Sequence, residues 1–274
     1  MAELLDLKDA VARHVMDGQT VALEGFTHLI PFAAGHEVIR QGRRDLTLVR
    51  MTPDLLYDQM IGMGCASTVV FSFAGNPGVG SLQRLRDAVE QGWPRPIRLI
   101  EHSHAAMAAA WDAGAAGLPF AMLRHGYVGS GLRDVNEQVR SIACPFTGEE
   151  LAAVPALRPD VGIVHAQRAD RDGNVLVEGI IGVQKQAVLA SKVSIVTVEE
   201  VVDGLDAPSP NSCVIPGWAI DVVCAAPRGA HPSYTHGYYE RDNAFYSNWD
   251  EIAADRDRFL AWMNDHVLHQ GVPA

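Results

Sequence analysis

Three short runs combine glycine, acids, histidines and hydroxyls in a way that could do chemistry. In VALEGFTHLIP, the pentad Glu24-Gly25-Phe26-Thr27-His28 directly follows an apolar run. If that run is a strand of an open α/β sheet, the pentad lies at its carboxyl edge, where such sheets bind ligands. Glycine there would let backbone N–H groups approach a thioester carbonyl or a carboxylate. A plain tight turn accounts for the same glycine, because one glycine without a second motif has low specificity. The second run, Phe73-Ala74-Gly75-Asn76-Pro77-Gly78-Val79-Gly80-Ser81, has the glycine content of a phosphate cradle. Its spacing matches neither the dinucleotide fingerprint nor the P-loop, so a substrate loop and a generic turn both stay open. The third is Ile100-Glu101-His102-Ser103-His104. Ser103 is placed to cap the alanine-rich segment HAAMAAAWDAG. Glu101 is the preferred functional acid, since a carboxylate ending an apolar strand should be partly buried, and therefore paired or shifted in pKa.

Other chemistries lack their signatures. The eleven histidines (His14, His28, His36, His102, His104, His125, His165, His231, His236, His266 and His269) show no metal-ligand spacing, so no metal is expected. There is no G-x-S-x-G elbow. Cys65, Cys144, Cys213 and Cys224 are scattered without a C-x-x-C pair, which fits a reducing cytoplasm. Asp and Glu outnumber Lys and Arg by 33 to 22, and the densest basic run, 40–44, reads as a solvated helix end, so nucleic acid is not an expected partner. The stretch 59–83 carries no charge, but glycine, proline and polar residues interrupt it too often for a membrane span. The charged amino terminus reads as a helix rather than a signal peptide.

These runs need a scaffold, and the rest of the pattern supplies one. Strands are expected at 20–23, 46–50, 68–73, 97–101, 160–165, 193–198 and 220–225, alternating with helices at 4–15, 54–61, 81–91 and 103–113 and a mixed segment at 180–189. Most of the strands lack a polar alternate face, as in a parallel sheet covered by helices on both sides. The fold class is thus α/β, an open, mainly parallel sheet with helices on both faces. A helix over 249–268, with Ile252, Phe259, Leu260 and Met263 on one side, is expected to cover the sheet ahead of the tail at 271–273. The Pro-rich stretch 207–211 reads as a surface loop, and the chain as one domain, 1–274.

Longer blocks carry a resemblance. RPDVGIVHAQRADRDGN, SKVSIVTVEEVVD and IPGWAIDVVCAAPRGAHPSY, with EHSHAAMAAAWDAGAAGLPF, DGQTVALEGFTHLIP and GNPGVGSLQRLRDAVE, resemble the α subunit of family I CoA-transferases, the glutaconate and 3-oxoacid type. The resemblance runs over nearly the whole length and implies the CoA-transferase or NagB-RpiA-like sheet. It also implies ping-pong transfer, here from succinyl-CoA to 3-oxoadipate in aromatic-compound catabolism, with coenzyme A entering as acyl-CoA and no permanently bound cofactor. In this family the glutamate that forms the covalent thioester belongs to a β-type partner, in a heterodimer or α2β2 assembly, so neither Glu24 nor Glu101 is expected to be the nucleophile. The resemblance places Glu24, Gly25, Phe26, Thr27, His28, Phe73, Gly75, Asn76 and Ser103 around the acyl pocket, with Glu101 supporting the centre. Where the family loop usually reads Gly-Gly-Phe-Gly, this chain has Glu24-Gly25-Phe26-Thr27. Alternative readings are an acyl-CoA hydrolase or a glutaconate-type transferase on the same paired scaffold; a ligand sensor is the weakest.

Overall fold

In the computed structural model, which describes residues 2–124, 127, 130–206 and 209–269, each apolar run of the sequence becomes a strand and most intervening amphipathic stretches a helix. The first half contains β1 (Glu3–Leu4), α1 (Leu7–His14), β2 (Thr20–Glu24), α2 (Phe32–Arg40), β3 (Leu46–Val49), α3 (Leu55–Gly62), β4 (Ala66–Phe71), α4 (Gln83–Glu90), β5 (Arg98–Glu101) and α5 (His104–Ala115). An insertion of β6 (Phe120–Leu123), α6 (Leu132–Val135), β7 (Arg140–Ala143) and β8 (Glu150–Pro155) follows. The second half has β9 (Val161–Asp170), β10 (Val175–Glu178), α7 (Gln184–Ala190), β11 (Val193–Val202), β12 (Ser212–Ile215), β13 (Val222–Ala225), α8 (Asn243–Ala254) and α9 (Arg256–Met263), and a π-turn at Asn264–Leu268. His125, residues 207–208 of the Pro-rich loop and the tail at 271–273 lie outside the described residues.

The main sheet runs β1-β13-β11-β9-β2-β3-β4-β5, with every neighbouring pair parallel. β10 and β12 extend it antiparallel from β9. The two halves of the chain wind outward in opposite directions from the β2–β9 pair, which makes that pair a topological switch point. Helices cover both faces. Val21, Leu23, Leu48 and Ile163 pack beneath α1 to α4, α8 and α9. Ala22, Val49 and Val70 pack against Met107 and Trp111 of α5 and Ala187 of α7. The period-two alternation of β2 thus sends Ala22, and with it Glu24, toward the α5 face.

Two expectations need correction. The covering helix at 249–268 is not continuous: α8 begins at Asn243, and Asp255 takes an extended conformation (φ −105°, ψ 132°) that ends α8 and caps α9, accepting from Arg258 N–H at 2.8 Å. A carboxylate that can bond the next turn's N–H competes with helix continuation. Phe259 and Met263 are buried there, but Leu260 is exposed. The stretch 116–157, with no expected element, contains a small antiparallel sheet, β6-β8-β7, packed on α5 through Ala110, Ala121 and Val154. No helix among the described residues is long and apolar enough to cross a membrane.

Candidate active site

Glu24 ends β2 opposite Val164 of β9, at the switch point. The chain then reverses within a few residues. Thr27 (φ 60°) and Leu29 (φ 54°) both occupy the left-handed region, which L-residues enter only when the surroundings compel it. Gly25 is required by its own turn: a Cβ there would lie 2.5 Å from Leu29 O and 2.9 Å from His28 O. The absence of a side chain therefore serves chain reversal first.

The turn is anchored from beneath. The Arg50 guanidinium donates to Gly25 O at 2.9 Å and to Asp54 Oδ1 at 2.8 Å, and both charged side chains are almost fully buried. Asp54 also caps α3 through Leu56 N–H. Tyr57 OH donates to Val49 O at 2.7 Å and accepts from Leu23 N–H at 3.2 Å, tying β2 to the end of β3. Neighbouring strands and a helix thus fix one carbonyl of the Glu24 turn. Removing either member of the Arg50–Asp54 pair would leave a buried charge uncompensated.

Glu24 itself is 2% exposed. Its Oε1 accepts from Met51 N–H at 3.1 Å. Burial raises its carboxyl to about 7, against the opposing pull of Arg50 and of the Met51 and Gly25 backbone N–H groups. The Trp111 indole N–H lies near enough to favour the anion but falls short of hydrogen-bond geometry. Near neutrality the carboxyl is accordingly divided between acid and anion, a property that clusters at functional sites.

His28 is buried. Its Nε2 meets Ile180 O at 2.6 Å, and its ring stacks on Tyr234 with centroids 4.9 Å apart. Gly179 (φ 100°) and Gly182 allow this approach, since a Cβ on them would lie 2.9 Å from the His28 ring and 2.8 Å from Phe26 Cβ. Thr27 Oγ1 lies 3.4 Å from Tyr234 OH, and Thr27 O accepts from Ser233 Oγ at 3.1 Å. Phe26, Ile180 and Ile181 remain exposed around this turn, so a rigid, partly polar floor carries an apolar rim. That combination suits a small acid with an apolar body.

The other expected site residues divide. Phe73 is 58% exposed, and its ring lies over Gly75, where a Cβ would meet Phe73 at 3.1 Å. Asn76 is buried: its side-chain amide donates to Tyr246 O at 2.7 Å and its N–H donates to Gly80 O, while its Oδ1 has no hydrogen-bond partner among the described residues. Ser103 caps α5 through Ala106 N–H at 3.2 Å. For Glu101 the expected burial does not hold. β5 is the last strand of the sheet, and the Glu101 side chain is exposed. With strands about 4.8 Å apart, Glu101 stands three strands, or about 14 Å, from Glu24. Beside it, buried His102 meets Tyr127 OH at 2.9 Å, and Asn136 donates to Glu101 O at 2.7 Å.

The sequence reading missed Arg50 and Asp54, although an arginine and an aspartate flanking the 51–53 loop are a legible charge pair. It also missed Glu199. Glu199 Oε1 accepts from His165 Nε2 (2.8 Å), Thr235 Oγ1 (3.0 Å) and Tyr239 OH (2.6 Å), and Oε2 accepts from Arg228 N–H (2.6 Å). Burial alone would raise this carboxyl, but the bonds from His165, Tyr239 and Arg228 N–H outweigh it and push it down to about 2. The network pins the 226–239 loop, and with it Tyr234 and His28, to the middle of β9 and β11.

Known proteins resemble this chain over nearly its full length. The chain is 64% identical to the A-type half of 3-oxoadipate CoA-transferase from Pseudomonas knackmussii, over 97% of this chain and 94% of that protein. It is 34% identical to the A-type half of glutaconate CoA-transferase from Acidaminococcus fermentans, over 98% and 88% of the two chains. The crystal structure of glutaconate coenzyme A-transferase from Acidaminococcus fermentans superposes with a TM-score of 0.90 at 32% identity, covering 98% of this chain and 90% of that one. The model of the coenzyme A transferase family matches residues 4–226, and the chain belongs to that family.

Proposed function

We propose that this chain is the A-type half of a two-subunit enzyme that moves CoA from succinyl-CoA to 3-oxoadipate in aromatic-compound catabolism. The observation that carries this reading is the 64% identity, over nearly the full length of both chains, to the A-type half of a 3-oxoadipate CoA-transferase. A β-type subunit completes the assembly and brings the glutamate that holds CoA as a thioester. Coenzyme A passes through as a substrate, with no resident cofactor. The free cysteines support a reducing cytoplasmic setting.

On this reading the chain shapes the acyl pocket rather than forming the covalent bond. Phe26, Thr27 and the Ile180–Ile181 segment line the pocket, with Phe73 at its margin. Glu24, at 2% exposure, is a positioning residue: it holds Met51 N–H and sets the charge beneath the turn together with Arg50. A near-neutral carboxyl has a use here, because its protonated form does not repel a dicarboxylate acceptor. Gly25 keeps the turn closed, and His28 locks it to Ile180 and Tyr234. The exposed carboxylate of Glu101 is left to act toward the partner subunit's side of the site.

The test is an assay of succinyl-CoA against a panel of 3-oxo acids, using this chain alone and co-purified with its β-type partner. Transfer that requires both chains and prefers 3-oxoadipate is expected. Full activity from this chain alone, or CoA release without any acceptor acid, would overturn the reading, the second outcome in favour of a hydrolase.

A further inference from the structure

We propose that a cavity on the other face of the sheet, between α2, α3, the 228–232 loop and the C-terminal helices, is a binding site for a small aromatic carboxylate. The cavity measures about 430 Å³, within the range of small-molecule sites. The chain carries a formal net charge of −11, yet no acidic side chain lines this cavity. Arg40, Arg228, His36, His231 and His266 do. Burial pushes His36 down to about 4 and also lowers His231, so the arginines supply the positive charge that favours an anion here.

Within that lining, one buried donor and one exposed cation are free to meet a ligand. Gln59 is completely buried, and its Oε1 takes His36 Nε2 at 2.7 Å. Its Nε2 has no hydrogen-bond partner among the described residues, and a buried donor left this way is costly. The other is Arg228. Whereas Arg40 is paired with Glu37 at 2.8 Å, no salt bridge holds the Arg228 guanidinium among the described residues. Its backbone is nevertheless fixed in the left-handed region (φ 60°) by the 2.6 Å bond to Glu199, and its guanidinium lies over the Tyr239 ring at 4.9 Å. The strained backbone holds this solvent-exposed cation at the cavity mouth, and backbone strain of this kind clusters at ligand-binding sites.

The remaining wall is planar and aromatic. Trp262 and His266 stack in parallel with centroids 4.7 Å apart, and Phe245 leans on Trp262 at 5.4 Å. A ring would lie against this wall while its carboxylate meets Arg228 and the Gln59 amide. A guanidinium and an amide N–H on one carboxylate make charge-assisted hydrogen bonds, roughly twice as strong as neutral ones. This assignment does not rest on the transferase reading, because none of these side chains belongs to the Glu24 turn.

The test is calorimetric titration of 2-naphthoate into the full-length chain, alone and in complex with its partner subunit, with 2-naphthol as the uncharged control. Saturable binding of 2-naphthoate to both preparations is expected, with 2-naphthol at least about tenfold weaker. Arg228→Gln and Trp262→Leu, both at the cavity mouth, should each weaken 2-naphthoate by about tenfold, and Gln59→Leu should do the same if it folds. No saturable binding, equal affinity for naphthoate and naphthol, or unchanged affinity in Arg228→Gln would overturn the proposal. So would loss of binding in the complex, which would mark the cavity as part of the subunit interface, or displacement by succinyl-CoA, which would place the ligand in the transferase centre.

Discussion

Replacing Glu24 by glutamine isolates the titration from the shape. The amide keeps an oxygen for Met51 N–H and fills the same volume, but it cannot ionise. In the parent protein burial moves the carboxyl from 4.5 to about 7. The folded state therefore holds the proton more tightly than the unfolded chain, and stability falls as pH rises. The contribution is complete below the unfolded value, declines through the window up to the folded value, and is flat above it. At about 1.4 kcal/mol per pKa unit, ionising Glu24 costs the fold about 3 kcal/mol in total. About 2.5 kcal/mol of this falls between about pH 5 and about pH 8.

Glu24→Gln lacks this decline. Its stability relative to the parent should therefore improve by about 2.5 kcal/mol from about pH 5 to about pH 8, or by about 1 M in urea midpoint for a chain of this size. Urea unfolding of both proteins at the two pH values, followed by far-UV circular dichroism, measures the difference directly. A midpoint gap that is the same at both pH values would refute the reasoning, since it would mean that Glu24 titrates alike in the folded and unfolded states. If Glu24 also positions the active turn, the kcat/KM profile of the complex should lose a titration near 7 in the variant.

Four further outcomes follow from the same contacts. Gly25→Ala forces a Cβ to within 2.5 Å of Leu29 O, so it should cost about 1–3 kcal/mol in urea unfolding and lower transfer activity by distorting the turn. Asp58 accepts from Arg84 N–H, Leu85 N–H and the Trp249 indole; Asp58→Ala orphans all three, should cost about 3–5 kcal/mol, and should speed proteolysis within 243–268. Glu199, depressed to about 2, contributes stability that is present above its unfolded value and lost as pH falls through the folded one; in acid titration by circular dichroism, Glu199→Gln should be less stable near neutrality and lack that acid limb. Glu101→Gln, at an exposed position, should change stability by less than about 0.5 kcal/mol, so a fall in activity of the complex would report a role at the partner's side.

Much of the scaffold was legible because local signals agree with the tertiary structure. The apolar runs ending at Glu24, Val49 and Phe71 are strands buried beneath helices, and Ser103 caps α5 as its place before an alanine-rich segment predicts. What escaped depends on partners far away in the chain. Asn76 has the look of a loop residue facing a ligand, but it is held by Tyr246, 170 positions later. The Glu199 network draws on β9, β11 and the 226–239 loop, and no spacing within one segment announces it. The break at Asp255 was hidden for the opposite reason: apolar residues on both sides of it continue the helical period, while the cap that interrupts them depends on a single side chain bonding Arg258 N–H.

Glu24 and Glu101 show most directly what sequence position leaves open. Both are carboxylates closing an apolar strand, and local pattern alone favours Glu101 as the functional acid. The order of strands separates them. β2 lies at the switch point with β9 and β3 on either side, which removes water from Glu24 and lifts its carboxyl to about 7. β5 has a neighbour on one side only, and the Glu101 carboxylate stays in solvent. Burial of a strand-end acid is thus a property of its place across the sheet. A glutamate moved from an edge strand to a central one would acquire a raised pKa without any change in its own segment.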